Sequence, residues 1–225
     1  MRDVAQWDTV GWTRAINAWK ASESNGQKAL GLGEARGGLS LYFAMLGCEV
    51  ICSDYQWINS DKKKAAEDLH KKYHVDDRIT YQDIDATDIP FENEFDIIYF
   101  KSILGGIGRK GDSELISWIF DQIYKALKPG GKLYYVENLR GTKLLQRFRS
   151  RFSTAYKNGW TYLDEDDLAR LEGEFTPIER HTFGCLACIG PTETIRRILG
   201  RIDILLEKIV KDRYIISCVL QKRES

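Results

Sequence analysis

The chain has 225 residues, of which 43% are hydrophobic and 29% are charged, and this size predicts one domain with small additions rather than two domains. Its 33 Lys and Arg residues balance 33 Asp and Glu residues, so no overall field directs the protein to nucleic acid or to an anionic membrane. Residues 1–7 carry charge and lack the apolar core of a signal peptide, and no apolar run is long enough to span a membrane, so we expect a cytoplasmic protein.

The five cysteines favour packed thiols over a disulfide framework. Cys48, Cys52 and Cys218 lie inside apolar runs, where a reduced thiol packs like a small hydrophobic side chain. Cys185 and Cys188 form a C-x-x-C pair, but no second Cys or His pair follows at zinc-finger spacing. The sequence therefore predicts no metal site.

Residues 1–25 differ in kind from the rest of the chain. Trp7, Trp12 and Trp19 crowd a short helical stretch ahead of the first predicted strand. We expect this segment to pack over the sheet as an N-terminal helical lid, and Trp12 is a candidate acceptor-binding residue.

From Gln27 to Asn138, strand-like apolar runs alternate with amphipathic helical runs, as a parallel sheet covered on both faces requires. The predicted architecture is α/β. The charged helix over 62–73 should face solvent, and Lys128-Pro-Gly-Gly131 should end the helix before it. The predicted order is strand 29–33, helix 39–46, strand 49–54, helix 62–73, strand 78–84, strand 94–100, helix 113–127 and strand 132–136.

Beyond Asn138 the pattern loosens, but no repeat or low-complexity linker divides the chain, so we predict a single domain over 1–225. The elements of this part are a basic stretch over 140–151, a helix that Asp164 could cap, a strand over 175–183, an amphipathic helix over about 192–210 and a strand over 213–220.

A glycine-rich turn, Gly31 to Gly38, follows the first predicted strand. Such a turn opening into a helix brings a ligand close to the backbone, and the free N–H groups at the helix start favour polar or anionic groups. Taken alone, it is equally consistent with tight βα packing. Asp54 follows about twenty residues later, where its carboxylate could accept ribose hydroxyls or cap a helix. Residues 85–91 could border an adenine ring or form an Asp-, Thr- and Pro-rich turn.

The order and spacing of four motifs are similar to those of class I S-adenosylmethionine-dependent methyltransferases. The similarity implies a Rossmann-like, seven-stranded, mostly parallel sheet with helices on both faces and S-adenosylmethionine as cofactor. It implies a cofactor-binding half over 27–138, with an acceptor-side insertion and C-terminal strands over 139–225. The motifs are Gly31-Leu-Gly-Glu-Ala-Arg-Gly-Gly38, Asp54, Asp85-Ala86 with Ile89-Pro90-Phe91, and Leu127-Lys-Pro-Gly-Gly131.

The resemblance also implies roles for single residues. It places Gly33 and Gly37 against the methionine part of the cofactor and Asp54 against the ribose hydroxyls. It places Asp85 at the adenine amino group and the Ala86 backbone at a ring nitrogen. The expected cofactor-binding set is Gly31, Gly33, Glu34, Arg36, Gly37, Asp54, Tyr55, Asp85, Ala86 and Lys101.

Two positions depart from the family pattern. Gly31 stands where the family has an acidic residue in the first strand, and Ala35 stands where it has the middle glycine of the turn. Glu34 is the candidate replacement for the missing carboxylate. The departures leave open a cofactor-binding protein that has lost catalysis. A nicotinamide-dependent oxidoreductase is the weaker alternative, because it shares the turn and Asp54 but not the later motifs.

The acceptor side of such folds lies at the carboxyl ends of the fourth and fifth strands. Lys101 and Ser102 leave the fourth predicted strand, and Glu137 leaves the fifth. Glu137 and His181 are the candidate general bases, and a purely structural role is the competing explanation for each.

The basic stretch over 140–151, with Tyr156, Lys157 and Trp160 behind it, is the most distinctive local charge. Guanidinium groups match phosphate or carboxylate in two-pronged geometry, so the stretch could hold an anionic acceptor or be a solvated helix face. The neutral overall charge argues against RNA. The candidate acceptor-binding residues are Trp12, Arg140, Arg147 and Tyr156.

These patterns predict methyl transfer to an oxygen or nitrogen of a small soluble acceptor: a sugar, a nucleotide-sugar, or a phosphorylated alcohol or amine. The C-terminal part loosely resembles methyltransferases of bacterial surface-polysaccharide biosynthesis. We expect neither nucleic acid nor membrane as a partner.

Overall fold

The computed structural model describes residues 1–224. Within that range, seven strands form one sheet in the order β3-β2-β1-β4-β5-β7-β6, which confirms the predicted α/β, seven-stranded and mostly parallel architecture. The strands are β1 (Lys28–Leu32), β2 (Glu49–Asp54), β3 (Ile79–Asp83), β4 (Phe95–Lys101), β5 (Leu127–Asn138), β6 (Thr176–Phe183) and β7 (Ile215–Gln221).

The parallel pairing places the carboxyl ends of β1 to β5 at the same edge of the sheet. β1 pairs in parallel with β2 and β4, β2 with β3, and β4 with β5, while β7 is antiparallel to both β5 and β6. The chain reverses its strand order beside β1, where it crosses from β3 to β4. In open α/β sheets a ligand binds in the crevice at the carboxyl edge beside this reversal.

Ten helices cover the two faces of the sheet within the described range. Alternate residues of a strand enter opposite cores: Ile97 and Tyr99 pack with α2, α3 and α4, whereas Ile98 and Phe100 pack with α5, α6 and α9. The helices are α1 (Arg2–Ala5), α2 (Thr9–Asn17), α3 (Gly38–Met45), α4 (Asp61–Lys72), α5 (Leu104–Ile107), α6 (Ser113–Ala126), α7 (Lys143–Phe152), α8 (Thr154–Lys157), α9 (Glu165–Leu171) and α10 (Glu193–Leu206).

The N-terminal segment packs over the sheet, and the inner side of α2 belongs to the core. Trp12 has no exposed surface and Trp19 is 3% exposed. Trp19 packs against Phe43 and Tyr134, with ring centres 6.0 and 5.7 Å apart. Aromatic residues at helical spacing bury their large apolar area wherever a sheet face is free, and here α2 covers β5 and β7.

α4 faces solvent as predicted and buries only Ala66 and His70. One prediction about the elements needs correction. β5 begins at Leu127, five residues before the predicted start, because Leu127 already pairs with Phe95 across an irregularity. Pro129, Gly130 and Gly131 follow the end of the helix as predicted, but the strand already includes them.

Within residues 1–224 no helix is both long and apolar enough to cross a membrane. The five cysteines are free thiols. The described residues contain no group of three or more His, Cys, Asp or Glu side chains placed to hold a metal ion.

The burial of Trp12 predicts a large loss of stability in Trp12→Ala. Removing a fully buried indole should lower the free energy of unfolding by about 3–5 kcal/mol. Trp118→Ala is the matched control, because Trp118 is 50% exposed on α6 and should cost about 1 kcal/mol. Urea unfolding measures both variants, and equal losses would contradict a core role for α2.

Candidate active site

The glycine-rich turn joins β1 to α3 at the carboxyl edge of the sheet. Gly33 and Gly37 have positive φ angles of 63° and 70°. A Cβ at Gly33 would lie 2.4 Å from Ile103, and a Cβ at Gly37 would lie 2.6 Å from the ring of His70. The two glycines thus let the side chains of Ile103 and His70 pack directly against the backbone of the turn.

Asp54, at the end of β2, holds the strained middle of the turn. Ala35 has a left-handed φ of 49°, which costs an L-residue roughly 1 kcal/mol. Asp54 Oδ2 accepts the Ala35 N–H at 2.9 Å, and Oδ1 accepts the Tyr55 N–H at 2.8 Å. A carboxylate keeps further lone pairs, so Asp54 can still accept from a ribose. Arg36 and Tyr55 are exposed beside it.

Glu34 folds back over Gly31. A Cβ on Gly31 would lie 2.8 Å from Glu34 Cγ, so Glu34 fills the space in which a side chain at position 31 would stand. Its Oε2 accepts the Ser40 N–H at 2.8 Å in the first turn of α3. Burial raises the pKa of Glu34 to about 7 despite this bond. The position supports the proposal that Glu34 supplies the carboxylate that Gly31 lacks.

Lys101, the last residue of β4, is the buried cation of this site. Burial lowers the pKa of Lys101 to about 8, and the attraction of Glu34 opposes the shift. Lys101 Nζ donates to the Ala5 carbonyl at 2.7 Å and lies 5.9 Å from the Trp12 ring centre. The lysine therefore ties the end of α1 to the sheet.

His70 supports the turn from behind, a role that the sequence analysis missed. The Gly37 carbonyl accepts from His70 Nε2 at 2.9 Å, so Nε2 carries the proton and Nδ1 accepts from Tyr81 Oη at 2.8 Å. Burial lowers the pKa of His70. Ala66 and His70, four residues apart on α4, form the inward side that the surrounding charges concealed.

Three residues of the expected cofactor set, Gly33, Glu34 and Lys101, line a cleft of about 290 Å³, and the other seven do not. Gln6 and Trp7, from the joint between α1 and α2, are the part of the expected lid that lies over it. The other lining residues are Ala35, Gly38, Leu39, Ser102 and Trp160.

Asp85 and Ala86 form the turn after β3. Asp85 Oδ1 accepts the backbone N–H and the hydroxyl of Thr87 at 2.8 and 2.7 Å, so one oxygen holds the turn. Within residues 1–224 the other oxygen has no donor, which leaves it for a ligand. The assignment of adenine to this turn stays a prediction.

A second cavity, of about 510 Å³, adjoins the cleft, and Trp7, Ser102 and Trp160 line both. We call it the acceptor pocket. Its wall is mostly apolar and carries two arginines, one from α7 and one from α10. The residues of this wall include Asn138, Leu145, Phe148, Arg149, Phe152, Tyr162 and Arg196.

Trp160 separates the cleft from the acceptor pocket, and the sequence analysis gave it no such role. Its indole packs against α5: a Cβ on Gly105 would be 2.0 Å from Nε1, and one on Gly106 would be 2.9 Å from the ring. Within the described chain, the buried Nε1 has no hydrogen-bond partner. The Gly105-Gly106 pair was the signal that something large packs there.

The basic stretch divides between two surfaces, and three of the expected acceptor-binding residues lie outside the acceptor pocket. Arg149 is buried in the pocket wall, 4.0 Å from the Tyr162 ring centre, and donates to the Leu139 carbonyl at 2.6 Å. Arg147 and Tyr156 line a separate surface depression. Arg140 also lies outside the pocket and pairs with Asp164 and Asp167 at 2.9 and 3.3 Å.

Glu137 is a positioning group and has almost no surface for an acceptor, at 1% exposed. Its oxygens accept the N–H groups of Leu104 and Asn138 at 2.8 and 2.7 Å, and burial raises the pKa of Glu137 to about 7. Asn138 Nδ2 in turn donates to Ser102 Oγ at 2.5 Å. Glu137 therefore fixes the two polar groups at the base of the acceptor pocket.

Two other candidates lie away from the pocket. His181 is on β6, the edge strand, and pairs with Glu179 of the same strand at 2.9 Å. Trp12 is fully buried behind Lys101, so an acceptor cannot contact it in this conformation. The spacing of apolar residues predicts strands and helices, but it does not show how far either residue lies from the carboxyl edge of the sheet.

Residues 30–135 match the family model described as a methyltransferase domain. No curated protein matches the chain. The methyltransferase match favours methyl transfer over both alternatives, hydride transfer and a fold without catalysis.

Solved structures share the fold at low sequence identity. An S-adenosylmethionine-dependent methyltransferase of Methanosarcina mazei has a TM-score of 0.63 and 19% identity, over 90% of this chain and 95% of that one. Phosphoethanolamine N-methyltransferase 2 of Haemonchus contortus, bound to phosphomonomethylethanolamine and S-adenosylhomocysteine, has a TM-score of 0.61 and 19% identity, over 96% of this chain and 53% of that one. Geranyl diphosphate C-methyltransferase of Streptomyces coelicolor has a TM-score of 0.64 and 12% identity, over 94% of this chain and 79% of that one. Residues 30–135 thus form a methyltransferase domain, and the chain has the class I, Rossmann-like fold of S-adenosylmethionine-dependent methyltransferases.

Proposed function

We propose that the enzyme methylates a nitrogen or an already ionised oxygen of a small acceptor that carries an anionic group. The observation that carries this proposal is the composition of the acceptor pocket. Among the described residues, its wall contains two arginines and neither a carboxylate nor an imidazole.

With neither a carboxylate nor an imidazole in the wall, the acceptor that fits best is one that presents its own lone pair. A neutral amine or an ionised oxygen does so, whereas an alcohol gains from a base within hydrogen-bond reach. The thiol in the wall, Cys188, has its pKa raised by burial to about 12 and does not fill that role. Ser102 and Asn138 can orient the acceptor by hydrogen bonds.

The two arginines favour an anionic group on the acceptor. Arg149 enters the pocket from α7, and Arg196 enters from α10 with its guanidinium 5.8 Å from the Trp7 ring centre. Guanidinium groups bind phosphate and carboxylate with two parallel hydrogen bonds. Two of the similar structures were solved with phosphorylated acceptors, phosphomonomethylethanolamine and geranyl diphosphate.

The volume and the partly exposed indole of Trp160 suit a sugar-sized molecule. A phosphorylated or nucleotide-linked amino sugar combines an anion, a ring and an amine. Such an acceptor is consistent with a role in bacterial surface-polysaccharide biosynthesis, and this remains part of the proposal.

S-adenosylmethionine supplies a methyl group made electrophilic by its sulfonium. The turn at Gly33 and Gly37, together with Asp54 and Glu34, would hold it, because Gly33 and Glu34 line the cleft and both carboxylates lie at the same edge of the sheet. Trp7 and Trp160 line both the cleft and the acceptor pocket, and their indoles would keep water away from the transferred methyl group.

Arg196→Gln should lower kcat/KM for phosphorylated amines by about tenfold to a hundredfold, because it removes a charge-assisted contact in the pocket. Arg147→Gln is the matched control, since Arg147 is an exposed arginine of α7 that lies outside the pocket. Methyl transfer to a panel of phosphorylated amines and amino sugars, followed by S-adenosylhomocysteine release, measures both. Equal effects of the two variants would sink the anionic-acceptor proposal.

Glu34→Gln should weaken S-adenosylmethionine binding by about tenfold or more, the usual effect of losing a charged hydrogen-bond partner. Glu49→Gln, on the exposed start of β2, should bind normally. Calorimetry gives both affinities. An unchanged affinity in Glu34→Gln would refute the replacement role of Glu34 and leave the methyltransferase assignment standing.

Glu34 also predicts a pH signature. Its pKa is about 7 in the folded protein against 4.5 for an unburied glutamate, so the folded state holds an extra proton between these values. This contribution to stability is present below pH 4.5 and lost as pH rises through 7. Glu34→Gln should therefore lose less stability than wild type from about pH 5 to about pH 8 in urea unfolding. A wild-type slope in the variant would contradict the raised pKa.

A further inference from the structure

α10 exposes an apolar ridge that no described part of the chain covers. Steps of three and four residues place the ridge along one side of the helix and just beyond its end. The opposite side is packed, with Gly200 against Val10. The ridge residues are 40–78% exposed: Ile195, Ile198, Ile202, Leu205 and Ile209.

The charges of this segment are sorted by side. Arg197, Arg201 and Lys208 are exposed beside the ridge. The two acids of residues 194–211 point inward: Asp203 accepts two backbone N–H groups at 2.8 and 3.0 Å, and Glu207 pairs with an arginine of α2 at 2.7 Å. The outer side of α10 is therefore apolar and cationic.

α7 has the same character. It contains no acidic residue, and Lys143, Arg147 and Arg151 are exposed. Leu144 and Phe152 are 68% and 65% exposed between these charges. A second helix thus offers apolar and basic side chains to the outside.

The two helices border the same two cavities. Gln146 near the start of α7 shares a cavity with Lys211 beyond the end of α10. Phe152 at the end of α7 shares the acceptor pocket with Arg196 near the start of α10. Both helices therefore contribute to the surface around the acceptor pocket.

We propose that the outer sides of α7 and α10 form a docking surface for an anionic lipid membrane. Amphipathic helices with apolar and Lys/Arg-rich sides lie in the plane of the headgroups, and this needs no spanning helix. Each Lys or Arg near an anionic surface strengthens binding about fivefold. The docked protein holds the acceptor pocket next to the headgroups. This inference does not depend on the identity of the acceptor.

Charge favours a membrane over the other occupants. In a symmetric dimer, the same surface meets itself, and the exposed Arg197 and Arg201 of two copies would approach with no exposed acid of α10 between them. Nucleic acid would satisfy the arginines but leave the isoleucine ridge in water. An anionic bilayer matches both parts of the surface.

Flotation of the full chain with lipid vesicles tests the proposal. We expect binding to phosphatidylcholine vesicles containing about one quarter phosphatidylglycerol, little binding to phosphatidylcholine alone, and weakening between about 0.05 M and about 0.5 M NaCl.

Two double variants separate the apolar and charged parts. Leu205→Gln with Ile209→Gln should weaken vesicle binding by about tenfold or more, whereas Met45→Gln with Ile178→Gln, equally exposed elsewhere, should not. Arg197→Gln with Arg201→Gln should weaken binding about tenfold or more, whereas Lys62→Gln with Lys64→Gln on α4 should not. Thermal unfolding of each variant confirms that it is folded.

Three outcomes overturn the proposal. The first is vesicle binding that is absent or independent of phosphatidylglycerol. The second is a concentration-dependent dimer in light scattering that Leu205→Gln with Ile209→Gln dissociates, which assigns the ridge to a second copy. The third is retention on polyuridylic acid without flotation, which assigns the surface to RNA.

Discussion

The fold of Glu34 back over Gly31 is the contact on which the cofactor edge depends. Because Gly31 has no side chain, the Glu34 carboxylate reaches the Ser40 N–H at the start of α3, and the ring of Tyr99 comes within 2.6 Å of the missing Cβ. Ser40 and Tyr99 share a hydroxyl hydrogen bond of 2.8 Å. β1, β4 and α3 are therefore joined at one point, with Lys101 two residues further along β4. Any larger residue at position 31 would separate them.

The sheet was predictable because a strand buried on both faces leaves a continuous apolar run, as in Phe95–Lys101. The turn glycines and Asp54 were predictable because their geometry is local to the end of one strand. The start of β5 at Leu127 was not, since pairing with Phe95 is a property of two distant segments. The burial of Trp12 was missed for the same reason. The spacing of apolar residues shows which side of a helix is apolar, but not which part of the protein packs against that side.

The acceptor side was harder to predict, because its residues meet only through the fold. Arg147 and Arg149 differ by two positions, which on a helix turns one outward and the other inward. The buried Leu145, four residues before Arg149, was the available signal for the inward side. Trp160 packs against Gly105 of α5, which lies fifty-five positions earlier in the chain. No spacing in a single sequence indicates such a contact.

The balance of charges over the whole chain says little about any one surface. Charges further apart than about 8–10 Å are screened at ordinary ionic strength, so the equality of 33 basic and 33 acidic residues does not describe the surroundings of α10. There the acids serve the fold: Asp203 caps backbone N–H groups and Glu207 holds α2. Because the acidic residues of α10 are used in internal contacts, the exposed charges of this helix are basic. The contacts that stabilise the C-terminal part therefore also favour an anionic partner for its surface, which the composition of the whole chain does not indicate.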